Sequence, residues 1–180
     1  NIVEPIKNME TLHQIEEFLK TRKKRDLVLF VMGTNTGLRV SDILALDIQD
    51  VKHKDFVEIV EKKTGKYKKF PLNKKIRALL NEYIDEEEEE HYPLFMTIYN
   101  NRLGRSSAYR IINGACRVAG VKENIGTHTL RKTFGYHHYK KFKDIALLQK
   151  IFNHYSPSVT LRYIGIDQEE INKSYMNFIL

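Results

Sequence analysis

Four separated stretches of this 180-residue chain carry side chains that could act on a phosphate. The first is Thr36-Gly37-Leu38-Arg39-Val40-Ser41-Asp42, where an arginine stands between a glycine turn and a helix N-terminus. A guanidinium beside free backbone N–H groups suits a phosphate, because both offer donors fixed in direction. The second is Lys63 within Lys62-Lys63-Thr64-Gly65-Lys66. A lysine at a hairpin tip can reach into a groove, and if its surroundings lower its pKa from roughly 10.4 it can give a proton to a leaving oxygen. The third, His128-Thr129-Leu130-Arg131, places a histidine and an arginine three apart on one helix face, so both can grip one anion. The fourth is His154, followed nine residues later by Tyr163 in Thr160-Leu161-Arg162-Tyr163.

Taken singly, each stretch also fits a plain structural role. Arg39 can pair with Asp42 in a turn, Lys63 can be part of a solvated basic loop, and most tyrosines are core or interface residues. Gly65-Lys66 is not part of a phosphate-binding P-loop, since position 60 is Val rather than Gly, and no His-Glu-x-x-His run exists for zinc. Cys116 is the only cysteine, which excludes an internal disulfide and a cysteine-based zinc site and fits a reducing, cytoplasmic setting.

The formal net charge is +7, yet six of the 23 acidic residues sit in the single run Asp85 to Glu90. Outside it, 30 basic residues face 17 acidic ones, a balance of +13 that attracts a polyanion such as DNA or RNA. No apolar run approaches the roughly 18 residues of a membrane span. Asn1-Ile2-Val3-Glu4-Pro5 lacks the layout of a signal peptide and has no initiator Met, as expected of a piece of something longer.

Hydrophobic periodicity supplies the elements that must hold these residues. Helices are expected over Thr11–Lys20, opened by a Thr11/Gln14 capping box; over Asp26–Met32, buried and broken by Thr34-Asn35-Thr36-Gly37; and briefly after Ser41. Phe56–Val60 and Tyr67–Leu72 read as two strands of a hairpin turning at Thr64-Gly65. Asn73 caps an amphipathic helix that the acidic run ends, and His91–Arg105 looks irregular apart from a short strand at Leu94–Ile98. Further helices start at Ser106 or Ser107, at Thr129, at Asp144 and at Ser156-Pro157. Asp167 and Glu170 open a last one, with Ile171, Tyr175, Phe178 and Ile179 on one face. The expected class is α+β, mostly helical with a small antiparallel sheet.

Together and in this order, the four stretches resemble the tyrosine recombinases, the family of lambda-type phage integrases, Xer recombinases and integrases of conjugative transposons. Its catalytic domains carry Arg, Lys, His-x-x-Arg, His or Trp, and Tyr, matched here by Arg39, Lys63, His128, Arg131, His154 and Tyr163. Asp42 matches the acidic residue three after the first arginine, and Lys63-Thr64-Gly65 with Phe70-Pro71-Leu72 resembles the lysine hairpin and its exit. Phe152-Asn153-His154 stands where many members have Leu-Gly-His, so Asn153 departs from the usual glycine. The resemblance runs from about Glu10 to Leu180 and implies the fold of DNA breaking-rejoining enzymes.

The resemblance implies that Tyr163 attacks a DNA phosphodiester and forms a 3′-phosphotyrosyl link, which a 5′-hydroxyl then reverses. Arg39 and Arg131 would clamp the non-bridging oxygens, His154 would add a hydrogen bond, His128 would accept the Tyr163 proton or else serve mainly to bind the phosphate, Lys63 would protonate the leaving 5′-oxygen, and Asp42 would orient the site from behind. Those cations would stand in for a metal, so no metal and no cofactor are expected. Double-stranded DNA would be held mainly by its backbone, with Lys66, Lys68, Arg102, Arg105, Ser107 and Lys132 as candidate contacts. Residues 1–180 would form one catalytic domain, without the N-terminal core-DNA-binding domain usual in the family. The last helix would dock onto a neighbouring subunit in a homotetramer on DNA. The setting would be the cytoplasm, at the nucleoid, in a bacterial or phage mobile element. Two other readings are a type IB topoisomerase, which only relaxes supercoils, and a non-catalytic DNA-binding protein.

Overall fold

The computed structural model describes residues 3–85, 89–166 and 168–179, which form nine α-helices, one short 3-10 helix (Ile48–Asp50) and one two-stranded sheet. The helices are α1 (Met9–Lys20), α2 (Lys24–Thr36), α3 (Val40–Ile43), α4 (Lys74–Tyr83), α5 (Arg105–Val118), α6 (Thr129–Phe142), α7 (Ile145–Phe152), α8 (Pro157–Tyr163) and α9 (Gln168–Asn177). Strands β1 (Phe56–Val60) and β2 (Tyr67–Pro71) pair antiparallel, with Val57 opposite Phe70 and Ile59 opposite Lys68. The α+β, mostly helical class read from the sequence is the class observed.

The core is organised on α2. Leu27 through Gly33 are all buried, and α1, α4 and α6 pack around them. Each fully buried side chain of this run, such as Phe30 or Met32, contributes about 1.5–3 kcal/mol. A second, smaller cluster of Leu148, Phe152 and Ile164 joins α7 and α8, with Phe134 and Tyr163 packed against it. The nucleophile candidate is therefore carried by a satellite core rather than by the main one.

Several boundaries differ from the periodicity reading. Asn8, not Thr11, caps α1, its side chain accepting from the Glu10 and Thr11 amides. Helix α2 runs on through Thr34-Asn35-Thr36, because those polar side chains donate back to the carbonyls of Phe30, Val31 and Met32 instead of breaking the helix. Arg39 rather than Ser41 is the residue before α3, and α5 starts at Arg105 behind Gly104 rather than at Ser106 or Ser107. Leu94–Ile98 is no strand: it makes one isolated bridge, Met96 to Arg102, and the residue before it, Pro93, makes another to Asp47. Asp167 and the centre of the acidic run, 86–88, lie outside the described residues.

Gly37 ends α2 in the left-handed region, with φ of 65°, and turns the chain toward Arg39. A Cβ there would stand 2.5 Å from Phe134 and 3.1 Å from Phe152, so glycine is required for both conformation and space. Gly37→Ala is expected to lower stability by about 2–4 kcal/mol, the sum of left-handed strain and overpacking. Urea unfolding measures it, and a loss below about 1 kcal/mol would contradict the tight packing of α6 and α7 on this turn.

Candidate active site

Arg131 lies on α6 and is 2% exposed, a burial that a lone guanidinium would not tolerate. Its charge is met by carbonyl dipoles. Nη1 donates to the Gly37 carbonyl at 2.5 Å and Nη2 to the Phe152 carbonyl at 2.9 Å, while the guanidinium stacks 4.3 Å from the Phe152 ring centroid. Both carbonyls belong to helix C-terminal ends, which carry partial negative charge. A guanidinium has five N–H donors, so others remain for an anion.

Arg39 stands at the N-terminal end of α3 and is locked to the hairpin in both directions. Its Nη1 lies 3.1 Å from Oε2 of Glu61, a fully buried carboxylate, and 3.9 Å from Asp42 Oδ2. Asp42, itself buried, accepts through Oδ1 from the Lys62 backbone N–H at 3.0 Å. Thus α3 supplies a carboxylate to the hairpin, and the hairpin supplies one to α3. Glu61 also accepts from the Thr64 hydroxyl at 2.7 Å, which fixes the tip that presents Lys63. Burial alone would raise the Glu61 pKa, but Thr64 and Arg39 outweigh it and hold the carboxyl below its ordinary value.

Glu61 was not among the residues singled out from the sequence. Its signal was strand alternation: Val57, Ile59 and Glu61 fall on every second position and share the inward face of β1 and its extension.

His128 caps α6, and its Nδ1 lies 3.2 Å from the Tyr163 hydroxyl of the same chain. Burial disfavours the charged imidazole, and Arg131, Lys63, Arg39 and Lys132 add repulsion, so its pKa falls below the usual value. Neutral at ordinary pH, it can accept a proton. Burial raises the pKa of Tyr163, opposed by Arg131 and Arg39, so the phenol starts protonated. His154 sits 5.0 Å from Tyr163, ring to ring, with its Nδ1 held 3.0 Å from the Thr160 hydroxyl. Its pKa is also lowered, by burial and then by Arg131 and Arg39.

A cleft of about 570 Å³ opens beside this group, walled by Arg39, Lys63, Arg102, Arg105 and His128 among others. Arg105, Lys63 and Lys66 are exposed there or at the adjoining hairpin. Arg102 spends its guanidinium on the Leu44 and Leu46 carbonyls and on Asp47. Ser107 lies in the first turn of α5 and accepts from Arg110. Lys132 is tied to the Val3 carbonyl at 2.7 Å and lies 5.1 Å over the Tyr163 ring. Lys68 turns inward, to the Ile151 carbonyl at 2.9 Å, and burial first, then Arg131 and Arg39, bring its pKa down to about 8. Among the described residues, no three His, Cys, Asp or Glu side chains converge as a metal site.

A mostly helical domain with a lysine hairpin, and a phenol seated among arginines and histidines, has the fold of tyrosine recombinase catalytic domains. The phage integrase family matches residues 7–170, and the chain belongs to that family. The probable integrase/recombinase YoeC of Bacillus subtilis (strain 168) is 44% identical over 179 residues, covering 99% of this chain and 98% of its own. The tyrosine recombinase XerC of Thermodesulfovibrio yellowstonii (strain ATCC 51303 / DSM 11347 / YP87) is 28% identical, across 84% of this chain. The chain spans only 54% of that relative's length. Among solved structures, the XerA recombinase superposes with a TM-score of 0.78 at 21% identity, covering 96% of this chain and 63% of that one, a likeness of fold.

Two measurements check this geometry without DNA. An NMR titration of His128 is expected to give a midpoint below pH 6.5, so the imidazole charges only as pH falls through that lowered value. A midpoint above 6.5 would contradict the cationic surroundings. Glu61→Gln keeps the shape but removes the countercharge of Arg39, and it is expected to cost about 3 kcal/mol in urea unfolding. A loss under about 1 kcal/mol would show that the pair does not hold α3 to the hairpin.

Proposed function

We propose that this chain cuts and rejoins double-stranded DNA as a site-specific recombinase or integrase, through a 3′-phosphotyrosyl intermediate on Tyr163. The observation that carries the reading is the hydroxyl of Tyr163 at 3.2 Å from His128 of its own chain, beside the buried Arg131. The nucleophile, a neutral base and a guanidinium already stand together.

In this reading the Tyr163 oxygen bonds to phosphorus as its proton passes to His128, and the bond from phosphorus to the 5′-oxygen breaks. Lys63 gives that oxygen a proton. Arg39, Arg131 and His154 meet the charge that builds on the non-bridging oxygens, where directed donors favour the transition state over the ground state. A 5′-hydroxyl then attacks phosphorus, takes the strand and returns the phenol. Lysine in place of either arginine would lose the planar fork.

The exposed Lys63, Lys66 and Arg105, with the start of α5, would track the DNA backbone at the cleft. Residues 1–180 would act as a single catalytic domain, and the protein would work where DNA is, at the nucleoid. No described helix is long and apolar enough to cross a membrane. Helix α9 exposes Tyr175 at 77% and Met176 at 80%, with Phe178 and Ile179 beyond its end at 71% and 87%, which supports docking onto a neighbouring subunit in a homotetramer.

The test is incubation with nicked duplex DNA carrying a candidate core site, then a denaturing gel and mass mapping of the linked residue. A covalent adduct on Tyr163, lost in Tyr163→Phe, is expected. Arg131→Lys is expected to slow adduct formation by on the order of 10²–10³-fold or more. Absence of adduct from either protein would point to a non-catalytic binder, and relaxation of supercoils without strand exchange to a topoisomerase.

A further inference from the structure

The C-terminal end of α7 leaves four carbonyls without a partner in the helix, as any helix does. Two are closed by the backbone that follows: Gln149 accepts from the His154 N–H and Lys150 from the Asn153 N–H, with Asn153 in the left-handed region at φ of 56°. The other two are closed from afar. Phe152 accepts from Arg131 on α6, and Ile151 accepts from the Lys68 ammonium on β2 at 2.9 Å, across 83 residues of sequence. His154 follows this helix end directly, and Tyr163 is packed against it through Phe152, with ring centroids 5.6 Å apart.

Lys68 is not at the hairpin's edge by accident. It lies opposite Ile59 in the strand register and alternates with Phe70 on the half-buried face of β2, above whose ring its ammonium sits at 5.9 Å. The charged groups around it are Arg131 and Arg39 on one side of the balance and Glu61 and Asp42 on the other. Burial and the two arginines disfavour the cation, while Glu61, Asp42 and the Ile151 carbonyl favour it.

We propose that Lys68 is a positioning residue for strand transfer: its ammonium ties β2 to the carbonyl end of α7, and so sets where the His154–Tyr163 segment stands relative to Lys63. This contact joins the hairpin that carries the proton donor to the segment that carries the nucleophile. Lys68 therefore acts from inside the protein rather than on the DNA backbone. Its part in catalysis rests on the strand-transfer reading above, whereas the strap itself does not.

Hydrogen exchange on the DNA-free protein tests the strap. In Lys68→Met, amides over 151–163 are expected to exchange at least tenfold faster while those of α1 and α2 hold their protection, and Lys68→Arg is expected to restore the wild-type pattern. Unchanged exchange over 151–163, or a uniform rise across the domain, would overturn the proposal. Adduct formation is then compared on nicked duplexes with an ordinary 5′-oxygen and with a bridging 5′-sulfur, which leaves without a proton donor. A misplaced nucleophile predicts that Lys68→Met is slower by on the order of 10²-fold on both substrates. Full recovery on the sulfur substrate would make Lys68 the proton donor and overturn the positioning role. Failure of the wild type on both would instead defeat the strand-transfer reading, leaving the strap to be decided by exchange.

Discussion

The burial of Arg131 is the constraint on which the rest of the site depends. A guanidinium removed from water must find its hydrogen bonds inside, and this one finds them at the buried carbonyl ends of two helices. By holding Gly37 and Phe152 together, it brings the turn that leads to Arg39 against the helix end that leads to His154 and Tyr163. The same burial sharpens its field, because nearby charges are poorly screened there. Gly37 and Gly135 make the approach possible: a Cβ at Gly135 would come within 2.7 Å of Phe152 and Ile164. Side-chain size at two glycines, helix-end dipoles and one cation are thus a single arrangement.

Around Arg131 the charges are nearly balanced. Arg39, Arg131 and Lys68 face Asp42 and Glu61, which leaves one net positive charge among these five groups. That is the complement of a phosphodiester, which carries one negative charge. The carboxylates do not weaken the site so much as set its geometry, since each holds a donor across the gap between α3 and the hairpin. Burial first, and then this excess of positive charge, lowers the pKa of both His128 and His154.

Much of this was legible in the residues. Strand alternation and caps located both strands and most of the helices. The order of Arg39, Lys63, His128, Arg131, His154 and Tyr163 pointed to one pocket before any coordinates. What the sequence hid was the direction of long basic side chains. Lys66, Lys68 and Lys69 look alike in a basic run, but Lys66 precedes β2, and the pleat turns Lys68, opposite Ile59, toward α7 while Lys69 pairs with Glu58. Glu61 was masked by the lysines that follow it. Helix α2 ran past its expected end because hydroxyl and amide side chains can satisfy the carbonyls of their own helix, which propensity alone does not reveal. Lys132 and Arg102 read as surface cations, yet both spend their donors on backbone carbonyls far away in sequence.

A crystal structure of the protein with nicked duplex DNA and orthovanadate tests the convergence most directly. Vanadium bonded to the Tyr163 oxygen, with Arg39 and Arg131 donating to its equatorial oxygens and Lys63 near the 5′-oxygen, is the expected result. Vanadate bound away from Tyr163, or an Arg131 that touches only the Gly37 and Phe152 carbonyls, would contradict it.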